Sequence, residues 1–103
     1  IKAIVVHSDI KKTGSLDLSS PLLNKLFKNI FWGQKGNFLD IPTDCPQRDE
    51  RMGWTGDAQV FVRTASYNYD VLKFFKKWLN GIFFIIYDLY IIFNNSKFTT
   101  YEY

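Results

Sequence analysis

The 103-residue chain holds one cysteine, one histidine and one methionine. Cys45 stands alone, so no disulfide forms within the chain and the redox compartment is not revealed. His7 has no second histidine to join it, which excludes a histidine-based zinc site and Ser-His-Asp chemistry alike. Charge of one sign is scarce as well. The net charge is only +3, and the lysines fall in ones and twos with no long basic run or aromatic-basic module. No nucleic-acid partner is therefore expected. The opening IKAIVVHSD is too short an apolar stretch to read as a signal peptide. The apolar run at 82–93 is broken by Asp88. It falls short of the ~20 residues that a membrane span needs, so no membrane partner is expected either.

What the chain does contain is a polar segment, 41–57, reading IPTDCPQRDERMGWTGD. Four carboxylates (Asp44, Asp49, Glu50, Asp57), two arginines (Arg48, Arg51) and Trp54 share it. Pro42 and Pro46 each remove a backbone donor and fix φ, while Gly53 and Gly56 add freedom, so the segment reads as a loop. A carbohydrate site uses this mixture: an aromatic face stacks on the sugar ring, and carboxylates and arginines hydrogen-bond its hydroxyls. Two carboxylates at a scissile bond are also what glycoside hydrolysis requires. Each residue has a structural reading beside the functional one. Glu50 can pair with Arg48 or Arg51, Asp57 can satisfy first-turn donors of a helix, Trp54 can fill a core, and Asp44 can brace the turn at 42–46. Cys45 reads as a small buried filler. The carboxylates cluster as for sugar binding, with calcium as the open alternative, and nothing implies a cofactor.

The rest of the chain reads as mainly helical. Residues 3–6 form a β-branched run expected to be a short strand. Ser20-Pro21 reads as an N-cap with proline at the first helical position. Leu22, Leu23, Leu26, Ile30 and Phe31 then give one apolar face, fading at Gly33 or Gly36. A second helix is expected over 57–79, with Asp57 near its positive end. Its stripe is Phe61, Ala65, Leu72, Phe75 and Leu79, supported by Tyr69 and Trp78. From 82 onward the chain is almost all Ile, Phe, Tyr, Asn, Lys and Thr, with no Ala, Gly, Pro or Arg after Gly81 and no clean period. We read this stretch as read-through or frame-shifted sequence, on composition alone.

Three segments carry a resemblance to a known family: VVHSD at 5–9, SSPLLNKLFKNIFWGQKGNF at 19–38, and above all PTDCPQRDERMGWTGDAQVF at 42–61. Together they resemble the bacterial-type α-L-rhamnosidases, family 78 of the glycoside hydrolases. The resemblance covers about three quarters of the chain and stops near Asn80. It implies the N-terminal fragment of an (α/α)6 barrel, two helices and the long active-site loop preceded by a short strand, with an anomalous hydrophobic tail. The implied division is 1–18 strand or linker, 19–80 start of the six-hairpin catalytic domain, and 81–103 non-homologous tail. The implied substrate class is α-L-rhamnosides, cleaved with inversion. By the resemblance Glu50 is the general acid, Asp44 holds rhamnose hydroxyls, Arg48 and Asp57 line the same subsite, and Trp54 is an aromatic wall. An inverting pair needs a second carboxylate ~6.5–9.5 Å away. The family's base is a glutamate far downstream; beyond Glu50 the one glutamate here is Glu102, and its context TTYEY does not match. The fragment alone is therefore expected to be inactive, with weak rhamnose binding by a truncated remnant as the alternative.

Overall fold

The computed structural model describes residues 1–95, with side chains to residue 92. Its element order is α1 (Pro21–Asn37), β1 (Phe38–Leu39), β2 (Ile41–Pro42), α2 (Thr55–Asn68) and α3 (Leu72–Asn95). The strand expected at 3–6 is not formed, and Ile4, Val5 and Val6 lie exposed. A β-branched run becomes a strand only beside a partner, and among the described residues none reaches it. The remainder of the tail, Glu102 included, lies outside the described residues.

α1 begins with Pro21, whose missing N–H is one of the donors a helix start leaves free. Ser20 occupies the N-cap but makes no side-chain cap bond. Asn24 fastens the entry instead: its Oδ1 accepts from Leu18 N at 2.9 Å, and its Nδ2 donates to Leu18 O at 2.8 Å. The helix runs through both glycines expected to end it. It stops at Asn37 because the next residue, Phe38, is drawn into the core and its N–H returns to Gln34 O. Only the C-terminal half of the apolar stripe is used. Phe31 is buried and Ile30 half-buried, whereas Leu22, Leu23 and Leu26 are exposed.

Phe38 opens a two-stranded antiparallel hairpin in which it pairs with Pro42. The turn is made by Asp40 at φ 68, a left-handed conformation that Asp tolerates better than most residues. The Phe38 ring stacks on Phe74 at 4.6 Å and meets Phe75 edge-on at 5.6 Å. With Ile10, Phe31, Ala58, Ala65, Tyr69, Val71 and Trp78, these rings form the core. Burying each large side chain stabilises the fold by roughly 1.5–3 kcal/mol.

The single helix expected over 57–79 is two. α2 ends at Asn68, Tyr69 is fully extended (φ −140, ψ 157), and α3 restarts at Leu72. The break is held from a distance by residues 11–14. Thr13 N and Gly14 N both donate to Asn68 O, Asp70 N donates to Lys11 O, and Lys12 bridges Tyr69 as an antiparallel pair. Gly14 is required there, since a Cβ would sit 2.2 Å from Tyr67 O. Tyr69 is buried and donates its hydroxyl to Phe31 O at 3.2 Å. Burial pushes its phenol above the ordinary value of 10.0. Because the break redirects the helix, Phe74, Phe75 and Trp78 become the inner face, and the expected core residues Leu72 and Leu79 are exposed.

α3 continues without interruption into the segment that showed no period. From Phe83 to Ile92 its apolar side chains are exposed on every side. The helix is ~36 Å long at 1.5 Å per residue. The molecule is elongated, with extents of 74 × 32 × 24 Å and a radius of gyration of 19.5 Å. A compact domain of this size would have about 13 Å. No helix among the described residues is long and apolar enough to cross a membrane.

Candidate active site

The loop between β2 and α2 folds back on itself around Asp44. Asp44 N donates to Met52 O at 3.0 Å, and Met52 N returns a bond to Asp44 Oδ1 at 2.9 Å. The bracing expected of Asp44 thus spans the whole loop rather than the 42–46 turn. Its second oxygen, Oδ2, accepts from the indole N–H of Trp54 at 3.1 Å. The same N–H lies 3.2 Å from Glu50 Oε1, and Arg48 donates to Glu50 Oε2. The Glu50–Arg48 pair expected from sequence is formed, and it sits beside the other carboxylate rather than apart from it. Between Glu50 and Trp54 the chain passes through Arg51 at φ 47. A left-handed residue with a Cβ costs about 1–2 kcal/mol, so the loop's other contacts hold this turn against an adverse local preference.

Asp44, Glu50, Trp54 and Asp57 line one open cavity of about 730 Å³. Its floor is apolar, formed by Phe38, Phe61, Phe75 and Ile30. Asp57 stands in the first turn of α2, where the helix dipole favours a negative charge, and makes no capping bond from the N-cap position, which Trp54 holds. Arg48 is 62% exposed and reaches the cavity only through Glu50. Trp54 is half exposed, so it is not core filler. Cys45 is half-buried on the cavity wall rather than fully buried. Sequence reasoning missed the α1 contribution, Gln34 and Asn37. Their only signal was a polar pair three residues apart near the end of an apolar helix.

Two opposing effects act on Asp44. Burial raises its pKa, and hydrogen bonds from the Cys45 backbone, with Glu50, from the Met52 backbone and from Trp54 together outweigh it. The carboxyl lies below its ordinary value of 3.8. Arg48 is held above its ordinary value, first by its neighbour Cys45 and then by Glu50. Asp44, Cys45 and Glu50 bring their donor atoms within 4.8 Å of one another. All four carboxylate oxygens already take donors from Met52, Trp54 and Arg48, so a cation there would have to displace the contacts that shape the loop.

A carboxylate-rich loop joining helices over an open, aromatic-floored cavity is an arrangement suited to a sugar. The chain belongs to the bacterial α-L-rhamnosidase six-hairpin glycosidase domain family, which it matches over residues 11–83. It is 55% identical over 82 residues to an α-L-rhamnosidase of Formosa agariphila, a match covering 80% of this chain and 9% of that protein. It is 52% identical over 75 residues to one of Streptomyces avermitilis, covering 73% and 7%. Among solved structures, the α-L-rhamnosidase of Aspergillus terreus superposes with a TM-score of 0.74 at 58% identity, over 76% of this chain and 9% of that one. The Streptomyces avermitilis enzyme, crystallised with L-rhamnose, superposes with a TM-score of 0.69 at 52% identity, over 71% and 7%. The chain therefore spans less than a tenth of the length of each of these relatives.

Proposed function

We propose that this chain carries the acid side of a glycosidase site that removes terminal non-reducing α-L-rhamnose with inversion. Glu50 protonates the departing glycosidic oxygen. Asp44 and Asp57 accept sugar hydroxyls, Arg48 steadies Glu50 at the edge of the same subsite, and Trp54 lies against the ring. The observation that carries this reading is the convergence of Glu50, Asp44, Trp54 and Asp57 on one cavity. The rhamnose-bound state of the Streptomyces avermitilis relative supports the choice of sugar.

Asp44 is not the second carboxylate of the reaction. It brings an oxygen within 4.8 Å of one on Glu50, whereas inversion needs ~6.5–9.5 Å to seat a water between acid and base. The water-activating group is therefore assigned to a part of the site outside 11–83, and the helical hairpin to the entry of an (α/α)6 barrel. The proposal keeps the division 1–18, 19–80 and 81–103, with the last segment as read-through or frame-shifted sequence. The end of the family match at residue 83 and the exposure of α3 beyond it support this division. A second reading, a remnant that binds rhamnose weakly without turnover, is favoured by the same Asp44–Glu50 spacing.

The test is a chimera in which residues 11–83 replace the matching segment of the Streptomyces avermitilis enzyme. Turnover of an aryl α-L-rhamnoside is expected to survive the exchange, and Glu50→Gln to lower kcat by roughly 10²–10⁴-fold. A folded chimera whose turnover is unchanged by Glu50→Gln would remove Glu50 from the acid role.

A further inference from the structure

The indole N–H of Trp54 is shared between two carboxyl groups, at 3.1 Å from Asp44 Oδ2 and 3.2 Å from Glu50 Oε1. Those carboxyls come from different arms of the loop, ten and four residues before Trp54. No backbone hydrogen bond of the loop joins Glu50 to the arm that holds Asp44. Arg48 ties the arms at one remove, its backbone N donating to Cys45 O at 3.3 Å and its side chain to Glu50 Oε2, but it makes no bond to the Asp44 carboxyl. The N–H of Trp54 is the donor that the two carboxyls share. Its own backbone is fixed by the start of α2, where Trp54 O accepts from Ala58 N at 3.1 Å. The anchor is thus a helix end rather than a mobile loop residue.

We propose that Trp54 is a positioning residue whose indole N–H sets the spacing and orientation of the Asp44 and Glu50 carboxyls, independently of any contact its ring makes with sugar. This rests on the glycosidase reading for its purpose, but not for its geometry. A ring-only role requires an aromatic face and nothing else. A three-centre bond requires nitrogen at one corner of that ring, aimed at both oxygens. Phenylalanine at this position keeps a face and removes the donor, so the two roles separate cleanly.

The experiment uses the full chain, labelled with ¹⁵N in its tryptophans and ¹³C in its carboxyl groups. The indole N–H signal of Trp54, identified by its loss in Trp54→Phe, is expected to move in Asp44→Ala and again in Glu50→Ala. Trp54→Phe is expected to shift the Asp44 and Glu50 carboxyl signals together, since both lose the same donor. L-rhamnose titration forms the second arm: Trp54→Phe is expected to weaken binding roughly three- to tenfold, the worth of one lost hydrogen bond. Backbone amide spectra confirm that each variant stays folded, which the half-exposed position of Trp54 favours. An indole signal indifferent to both carboxyl substitutions would overturn the proposal. So would a Trp54→Phe chain that binds rhamnose as the wild type does. A wild-type chain that ignores rhamnose counts against the sugar site alone, since the spectroscopic arm contains no sugar and still decides the role of the N–H.

Discussion

Two polar networks cross this protein, and they differ in nearly every respect but size. One is buried. Gln34 and Asn68, each 3% exposed, bond to each other at 2.8 Å, and Gln34 Nε2 donates to Ala65 O at 3.2 Å. Neutral groups there tie α1 to the end of α2. The other lies open in the loop, where Asp44, Arg48, Glu50 and Trp54 bring charges together in reach of water. In the buried network both polar ends of Gln34 are taken by protein partners. The open one holds two carboxylates close and has a cavity in front of it. The contrast separates what holds the protein together from what remains available to a ligand.

The largest expected effect sharpens that separation on the open side. Glu50→Gln in the chimera is expected to remove most turnover while changing the stability by no more than about 1 kcal/mol, the worth of its partly exposed pair with Arg48. The converse follows on the buried side. Asn68→Leu leaves Gln34 Oε1 without its donor inside the core, so urea unfolding should show a loss of about 1–3 kcal/mol. Gly14→Ala should cost a similar or slightly smaller amount, about 1–2 kcal/mol, as the 11–14 segment is pushed off the Tyr67 carbonyl. A loss from Asn68→Leu no greater than that from Glu50→Gln would break the comparison.

A gentler test uses pH. The carboxyl of Asp44 lies below its ordinary value in the folded chain, so its contribution is present above that ordinary 3.8 and fades as pH falls through the lower folded value. The ¹³C signal of the Asp44 carboxyl itself should therefore titrate with a midpoint below 3.8. A midpoint above 3.8 for that carboxyl would contradict the bonding described for Asp44. The smallest effect is expected at Leu22, which is exposed on α1: Leu22→Ser should alter stability by less than about 0.5 kcal/mol in a urea titration.

Much of this was legible in the residues, and the failures share a cause. Pro21 announced the start of α1, and the density of carboxylates with Trp54 announced the loop. The apolar stripe of α1 was visible, but a stripe does not reveal how much of it meets a neighbour, and Leu22, Leu23 and Leu26 stay exposed among the described residues. The division between α2 and α3 was hidden because the partners that stabilise an extended Tyr69 are Lys12, Thr13 and Gly14, more than fifty positions upstream. No local pattern encodes that. The tail showed no helical period because a helix buried on no side has no reason to concentrate its apolar residues on one. In the loop, residue types indicated the chemistry, but the sharing of one indole N–H by two carboxyls depends on a left-handed Arg51 that composition does not foretell.

The docking of residues 11–14 onto the junction of α2 and α3 also bears on how the chain assembles. α2 and α3 adjoin in sequence and can meet after closing only a three-residue gap. The 11–14 segment must close a loop of more than fifty residues, with α1 and the polar loop inside it, to gain a few backbone hydrogen bonds. Loop-closure entropy grows with the logarithm of length, so this contact should form late and open early. The bend that directs Phe74, Phe75 and Trp78 inward would then be the last part of the fold to lock during folding and the first to relax during unfolding.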